Sequence, residues 1–408
     1  MNSRLAGLQP YPFQKLAELI RGLTPQSGKS AIRLYMGEPQ HAAPPFVLEA
    51  LTANLSGLSH YPLTKASSEL RQAIAGWANR RFKLDKAPLD PDRHVLPCAG
   101  TREALFSIAQ AVIDRRAHAE QPVVIMPNPF YQIYEGAALL AGARPYFLNT
   151  VAGNNYRMDF ARVPAEVWQQ VQLVYICSPG NPTGTVLQHA DLAHILALAE
   201  KHDFLIAADE CYSEIYFDEH NPPPGLLQVA HELGIADYRR CLVFHSLSKR
   251  SNLPGLRSGF VAGDGAALEQ YFKYRTYQGC ALPPPTQAAS IAAWDDEAHV
   301  RANRDQYRAK FNAVLEILAP VMNVERPEAS FYLWPETPQD DETFTRELYA
   351  RENVLVLPGS YLSRDAQGKN PGRKRVRLAL VASLEECVEA AKRIRSYIQT
   401  TKATYSGS

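Results

Sequence analysis

Lys249 stands at the end of a short apolar run, Cys241 to Phe244, between the small hydroxyl residues Ser246 and Ser248 and an arginine, Arg257, set in Gly-Leu-Arg-Ser-Gly. An amine held at a strand end is a candidate nucleophile for a carbonyl. Ser246 and Arg257 are donors suited to a phosphate, through charge-assisted hydrogen bonds. Together they match what a phosphorylated aldehyde cofactor requires of a protein. Taken alone, Ser-x-Ser-Lys is more often a surface loop. Its weight comes from the other polar residues that occupy equivalent places.

Those places are set by a repeated strand, turn and helix. Residues 94–98 lead to Gly100-Thr101-Arg102, 123–126 to Tyr131, 173–177 to Asn181, 204–208 to Asp209-Glu210-Cys211-Tyr212, and 241–244 to Lys249. Apolar runs alternating with helical patterns predict a mostly parallel sheet covered by helices on both faces. In open α/β sheets ligands bind beyond the carboxyl ends of the strands. Gly100, Tyr131, Asn181, Asp209 and Lys249 each fall just past such an end, a coincidence harder to dismiss than any one motif.

The flanking segments predict a second, smaller α+β unit. Helices are expected at 11–22, 46–55, 68–82, 103–113, 268–274, 286–295 and 299–318, the last bridging to strands near 331–334, 354–357 and 376–380 and a helix at 384–398. The division expected is a large α/β domain at 45–295 and a discontinuous small domain from 1–44 and 296–408. Gly22 to Ser30 resembles a phosphate-binding P-loop, but it has one residue too many and follows a helix instead of a strand. Residues 403–408 read as a frayed tail.

Composition narrows the partners. The 408 residues are 46% hydrophobic and 21% charged with a net charge of +1, which offers nothing for nucleic acid or an anionic membrane. The six cysteines (98, 177, 211, 241, 280, 387) lack metal-ligand spacing and read as reduced core residues. With no apolar run long enough to span a bilayer and no signal-peptide pattern, a cytoplasmic protein is expected.

The motifs YPLTK, AGTREA, NPFYQIY, SPGNPTG, DECY, SLSK and LRSGF, in this order over nearly the whole chain, resemble the class I/II aminotransferases that use pyridoxal 5'-phosphate. The resemblance implies the fold-type-I architecture, with a seven-stranded type of sheet, and a homodimer with shared active sites acting on small amino and 2-oxo acids. It implies that Lys249 binds the cofactor aldehyde and then moves the substrate proton, and that Asp209 faces the ring nitrogen, where an anion keeps that nitrogen protonated. Asn181 and Tyr212 would donate to the ring hydroxyl oxygen, and Tyr131 would stack on the ring. Gly100, Thr101 and Arg102 would open a helix toward the phosphate, joined by Ser246, Arg257 and, from a neighbouring subunit, Tyr61. Residue by residue, blander readings exist: a helix cap for Asp209, a turn residue for Asn181, core packing for Tyr131 and Tyr212, a local turn for Tyr61.

For the substrate carboxylate, strand alternation puts Arg375 and Arg377 on one face, and the family pattern favours Arg377. Gly37 matches a glycine whose backbone approaches the same carboxylate. LQPYPFQKLAELIRGLTP near the start and LPGSYLSRDAQGKNPGRKRVRLALVASLEECVEAAKRI near the end resemble proteobacterial N-succinyl-diaminopimelate aminotransferases. The activity implied is transfer of an amino group from N-succinyl-LL-2,6-diaminopimelate to 2-oxoglutarate, toward lysine and diaminopimelate. Relatives acting on acylornithine, aspartate or aromatic amino acids, or a lyase on the same fold, are the alternatives. A ligand-sensing regulator is disfavoured, since no basic patch or DNA-binding module is evident. The distal carboxylates of such a donor need cations or several amide donors. The candidates are Arg275, in a segment that in the family reaches toward the partner's site, and the loop residues Arg364, Lys369, Arg373 and Lys374, whose charges otherwise read as a solvated surface.

Overall fold

A computed structural model describes residues 1–25, 28–116 and 120–406, with side chains to 401. Residues 26 and 27 of the P-loop look-alike, and 407–408 of the expected tail, lie outside these. The rest of that tail continues the helix Leu384–Ser406.

Seven strands form the main sheet: β1 (Val95–Cys98), β2 (Val123–Asn128), β3 (Arg144–Asn149), β4 (Val171–Cys177), β5 (Leu205–Asp209), β6 (Cys241–Ser246) and β7 (Gly259–Gly263), in the order β1-β7-β6-β5-β4-β2-β3. Pairing is antiparallel where β7 meets β1 and β6, and parallel elsewhere. Side chains alternate across this sheet. Val123, Ile125, Val174, Ile206 and Val243 enter one apolar cluster, while Val124, Met126, Leu173, Ala207 and Leu242 enter another on the opposite face. A sheet buried on both faces needs apolar residues at every position, which is why these strands read as continuous runs.

Two strands with short apolar runs escaped the sequence reading. β3 is an edge strand whose residues are mostly half-buried, and β7 is bracketed by Gly259 and Gly263. Their apolar runs, Tyr146-Phe147-Leu148 and Phe260-Val261-Ala262, are only three residues long.

The remaining strands form a separate layer. Ile32–Arg33 pairs in parallel with Val354–Leu355, and Val376–Ala379 lies between Leu357–Pro358 and Tyr332–Leu333, antiparallel to both. Ile32 and Leu34 share an apolar cluster with Phe311, Val314, Phe344, Leu378 and Ile394. The long helix Ala298–Leu318 contributes to that cluster along its C-terminal half and runs back toward the large sheet. The N-terminal segment thereby reaches both the strand carrying Arg377 and the mouth of the main sheet.

Candidate active site

Register brings the site together. β4, β5 and β6 are parallel, with Cys177 opposite Asp209 and Asp209 opposite Phe244. The turn after β4, the end of β5 and the Lys249 segment after β6 therefore emerge side by side. Gly259 of β7 is the register partner of both Ser246 and Cys98, so the turn after β1 lies level with them. Beyond these ends opens a cavity of about 480 Å³, lined by Lys249, Asp209, Asn181, Tyr212, Tyr131, Thr101, Arg102, Ser246, Arg257, Gly37 and Arg377.

One side of the cavity is built for an anion. Gly100 caps the helix Thr101–Val112 at φ +82°, where a side chain would be strained, and a Cβ there would overlap the Arg257 guanidinium. The first amides of that twelve-residue helix face an anion favourably. Ser246 ends β6 as the cap of the one-turn helix Leu247–Arg250, its Oγ accepting from the Ser248 amide at 3.1 Å. The Arg257 guanidinium is held by the carbonyls of Pro254 and Ala99, at 3.0 and 3.5 Å.

At the centre, Lys249 Nζ donates to the Gly37 carbonyl at 2.6 Å, and burial pulls its pKa down to about 8, helped by Arg377 and Arg102 and opposed by Cys211 and Glu38. Asp209 is buried at 4% exposure, which raises its pKa, with the Tyr134 hydroxyl (2.6 Å) and the Cys211 amide (3.3 Å) working the other way. Both donors are uncharged, so the carboxylate faces the cavity in need of a cation. The Tyr212 hydroxyl lies 3.0 Å from that of Tyr332 and is raised by burial. The Tyr131 hydroxyl accepts from Arg102 Nε at 2.8 Å.

The far side presents a guanidinium to the cavity. Arg377 Nη1 donates to Asn181 Oδ1 at 3.0 Å and Nη2 to the Tyr35 carbonyl at 2.8 Å, and the guanidinium lies 4.5 Å from the centre of the Tyr332 ring. Its Nε is buried with no partner among the described residues. A Cβ on Gly37 would overlap the Tyr332 hydroxyl. Arg375 is turned elsewhere, to the Trp334 carbonyl at 2.9 Å and to Glu336, which settles the geometric ambiguity between the two arginines.

Several expected residues are not brought in. Arg275 is fully buried, and its guanidinium is committed to Glu103 at 2.7 and 2.8 Å and to the Cys280 carbonyl at 2.8 Å. This argues against its assignment to the distal carboxylates: meeting a substrate would break a buried ion pair. What Arg275 does is anchor, through Glu103, the helix that begins at Thr101. Arg364 is likewise taken up by Glu135, and Lys369, Arg373 and Lys374 are exposed, none of them lining the cavity. Tyr61 is fully exposed, outside the cavity of its own chain.

The sequence reading missed Tyr134, Cys211, Tyr332, Glu38 and Tyr11. Cys211 Sγ is 3.1 Å from Thr101 Oγ1, tying the β5 turn to the anion side. Tyr134 carried a usable signal: it sits three residues after Tyr131 at a helix start, so both project from one face.

This sheet, with a lysine, a buried carboxylate and an anion cup at its carboxyl ends, defines a pyridoxal-phosphate-dependent aminotransferase. The family model for aminotransferase class I and II matches residues 29–394, and the chain belongs to that family. An aminotransferase from Neisseria meningitidis Z2491 superimposes with a TM-score of 0.93 at 48% identity, covering 97% of this chain and all of that one. Aminotransferase AspB from Helicobacter pylori 26695 gives 0.87 at 36%, covering 96% and 99%. By sequence, an LL-diaminopimelate aminotransferase of Desulforudis audaxviator is 30% identical over 400 residues, 96% of each chain. A Thermus thermophilus protein described as a probable N-succinyldiaminopimelate aminotransferase matches with a TM-score of 0.81 at 26%, covering 94% and 99%. The residues fit the cofactor: the cup at Gly100 supplies phosphate donors, and Asp209 lacks the cation that a protonated ring nitrogen would be.

Proposed function

We propose that the protein transfers the amino group of N-succinyl-LL-2,6-diaminopimelate to 2-oxoglutarate, in lysine and diaminopimelate biosynthesis. The observation that carries the transamination reading is the cavity in which Lys249, Asp209 and Arg377 meet. Pyridoxal phosphate supplies the carbonyl that receives the amino group and the ring that accepts the electron pair left on the substrate Cα. Lys249 holds the cofactor and then, as a free amine, takes the Cα proton and returns it across the transfer. Asp209, steadied by Tyr134, keeps the ring nitrogen protonated. Asn181 and Tyr212 donate to the ring hydroxyl oxygen, and Tyr131 covers the ring face. The amides of Thr101 and Arg102, made accessible by Gly100, hold the phosphate with Ser246 and Arg257. Arg377 and the Gly37 backbone bind the α-carboxylate of both substrates, with Asn181 bracing the guanidinium.

With Arg275 and the 362–374 loop set aside, the distal carboxylates fall to the cavity mouth, where Arg102, Gln132 and the Tyr11 hydroxyl are the available donors. A second reading is favoured by Glu38, which also lines the cavity: an acid there suits a free distal ammonium, as in diaminopimelate itself, the substrate in the name of the Desulforudis relative. Comparing kcat/KM for N-succinyl-LL-diaminopimelate, LL-diaminopimelate and glutamate, each with 2-oxoglutarate, decides between them. The succinylated donor is expected to lead; a lead for the free diamino acid selects the second reading, and parity with glutamate rejects both. Product without amino transfer to 2-oxoglutarate would indicate a lyase.

The exposed Tyr61, with Leu48, Leu55, Leu58 and Leu63 also exposed nearby in the chain, supports a homodimer in which Tyr61 completes the partner's phosphate site. Mixing Lys249→Ala chains with Tyr61→Ala chains is expected to restore one competent site per hybrid; hybrids no better than their parents would rule out the exchange. The separate apolar clusters support a large domain at 45–295 and a small one from 1–44 and 296–408 that closes over the substrate.

A further inference from the structure

Behind Lys249, on the side away from the cavity, polar residues that the proposed chemistry does not use form one continuous run. Asn303, 2% exposed on the helix Ala298–Leu318, donates from Nδ2 to the carbonyls of Lys249 and Arg250, at 3.3 and 3.4 Å. With Nδ2 serving two carbonyls, Oδ1 must accept. Its donors are Asn252 Nδ2 at 3.0 Å and His41 Nδ1 at 2.7 Å. His41 therefore carries its proton on Nδ1 and offers Nε2 as an acceptor. Lys310 Nζ meets Nε2 at 2.6 Å and also reaches the Val381 carbonyl at 3.3 Å.

The electrostatics agree with this order of donors. Burial lowers the pKa of His41, which keeps the imidazole neutral, and it pulls Lys310 down to about 8. The groups facing Lys310 are His41, the Tyr307 ring at 5.2 Å, and Cys387, Glu385 and Glu386 of the last helix. Tyr307 also packs against His41, with ring centres 4.6 Å apart.

The run joins four segments that the chemistry must keep in register. Lys249 is gripped twice, by its amine at the Gly37 carbonyl and by its own carbonyl at Asn303. The segment from Leu34 to His41 carries Gly37 and is tied to the Arg377 strand, by the Ala379 amide to the Leu34 carbonyl at 2.7 Å and by Arg377 to Tyr35. Val381 lies just past that strand. Apart from Asn252 Oδ1 and the Tyr307 hydroxyl, which are buried without a hydrogen-bond partner among the described residues, the run is hydrogen-bonded throughout, and such a buried network rigidifies the segments that it joins.

We propose that Asn303, His41 and Lys310 are positioning residues that couple carboxylate binding at Gly37 and Arg377 to the setting of Lys249. The coupling rests on the roles given above to Lys249 and Arg377. Its test is a pH titration of the visible absorbance of the full-length holoenzyme, with and without saturating maleate as a non-reacting dicarboxylate. In the wild-type protein maleate is expected to move the midpoint by about one pH unit, a tenfold change in proton affinity. Lys310→Met, which leaves His41 Nε2 without a donor, and His41→Leu are expected to lose most of that movement while maleate still binds by protein fluorescence. His41→Gln keeps one donor and one acceptor and is expected to recover most of it, with circular dichroism confirming that every variant is folded. A full shift in Lys310→Met and His41→Leu, no recovery in His41→Gln, or no shift in the wild type overturns the proposal. Survival of the titrating band in Lys249→Ala would instead sink the reading of Lys249.

Discussion

The two ends of the cavity are built differently. The phosphate end is made from short stretches at strand ends: a helix opened by Gly100, the Ser246 cap and the Arg257 turn, all aligned by the register of Gly259 with Ser246 and Cys98. The carboxylate end is made from segments hundreds of residues apart, Gly37 with Tyr35 from the start and Arg377 from near the end, meeting Asn181 from the middle. The first depends on backbone placed by one rigid sheet. The second depends on a separate layer with its own apolar cluster. The contrast sharpens the proposal that a small domain closes over the substrate: it predicts a preformed cofactor end and a substrate end that responds to what binds.

The largest effect that would test this division lies between the two ends. Lys249→Ala is expected to cost transamination ~10⁴-fold or more, because one residue is both nucleophile and proton carrier; near-normal turnover would remove the central assignment. A pKa of about 8 for this amine carries a pH signature: the nucleophile is the neutral amine, so capture of pyridoxal phosphate by apoprotein should quicken as pH rises through about 8 and then level off. By linkage the same lowered value makes the unfolded chain bind the proton more tightly. Its contribution to stability therefore improves as pH rises from about 8 toward 10.5.

At the carboxylate end, Arg377→Ala is expected to lower kcat/KM about 30-fold to several thousand-fold, the equivalent of ~2–5 kcal/mol for losing the partner of a desolvated carboxylate. Cofactor affinity should barely change, and Arg375→Ala should leave kcat/KM almost untouched. An equal loss in Arg375→Ala would erase the distinction between the two arginines. At the phosphate end the pattern should invert. Arg257 is exposed and is one donor among several, so Arg257→Ala should weaken cofactor binding only about tenfold, with kcat restored by excess pyridoxal phosphate in a titration.

The smallest effect on chemistry is expected at Arg275. Arg275→Ala should leave the preference for succinylated donor over glutamate unchanged. It should instead lower the Tm, because Glu103 loses its buried partner at a cost of about 3–5 kcal/mol. A selective loss of the succinylated donor with Tm unchanged would return Arg275 to substrate recognition.

Much of the phosphate end was legible from the residues alone, because its parts are local. SLSK and LRSG lie within one turn-rich stretch, AGTREA opens a helix directly after a strand, and apolar runs mark which ends of the strands carry them. Backbone geometry over a few residues determines such features, and the sequence records it. The strands β3 and β7 were missed because their apolar runs, Tyr146 to Leu148 and Phe260 to Ala262, are only three residues long. The carboxylate end was legible only in part. Period-two alternation put Arg375 and Arg377 on one face, and only the layer's packing against Tyr35, Asn181 and Tyr332 decided which guanidinium enters the cavity. Arg275 reads from sequence as one more free cation; its use is set by Glu103, 172 residues away along the chain. The His41–Asn303–Lys310 run has no sequence signature at all, since its members share no motif, period or spacing. The sequence by itself determined five of the seven sheet strands, the cofactor class and the residues next to strand ends, because short-range geometry and burial patterns act within a few residues. Which charges are spent on one another, and which remain to meet a substrate, was decided only by tertiary structure, because ion pairing and desolvation depend on distances between segments that the linear order leaves free.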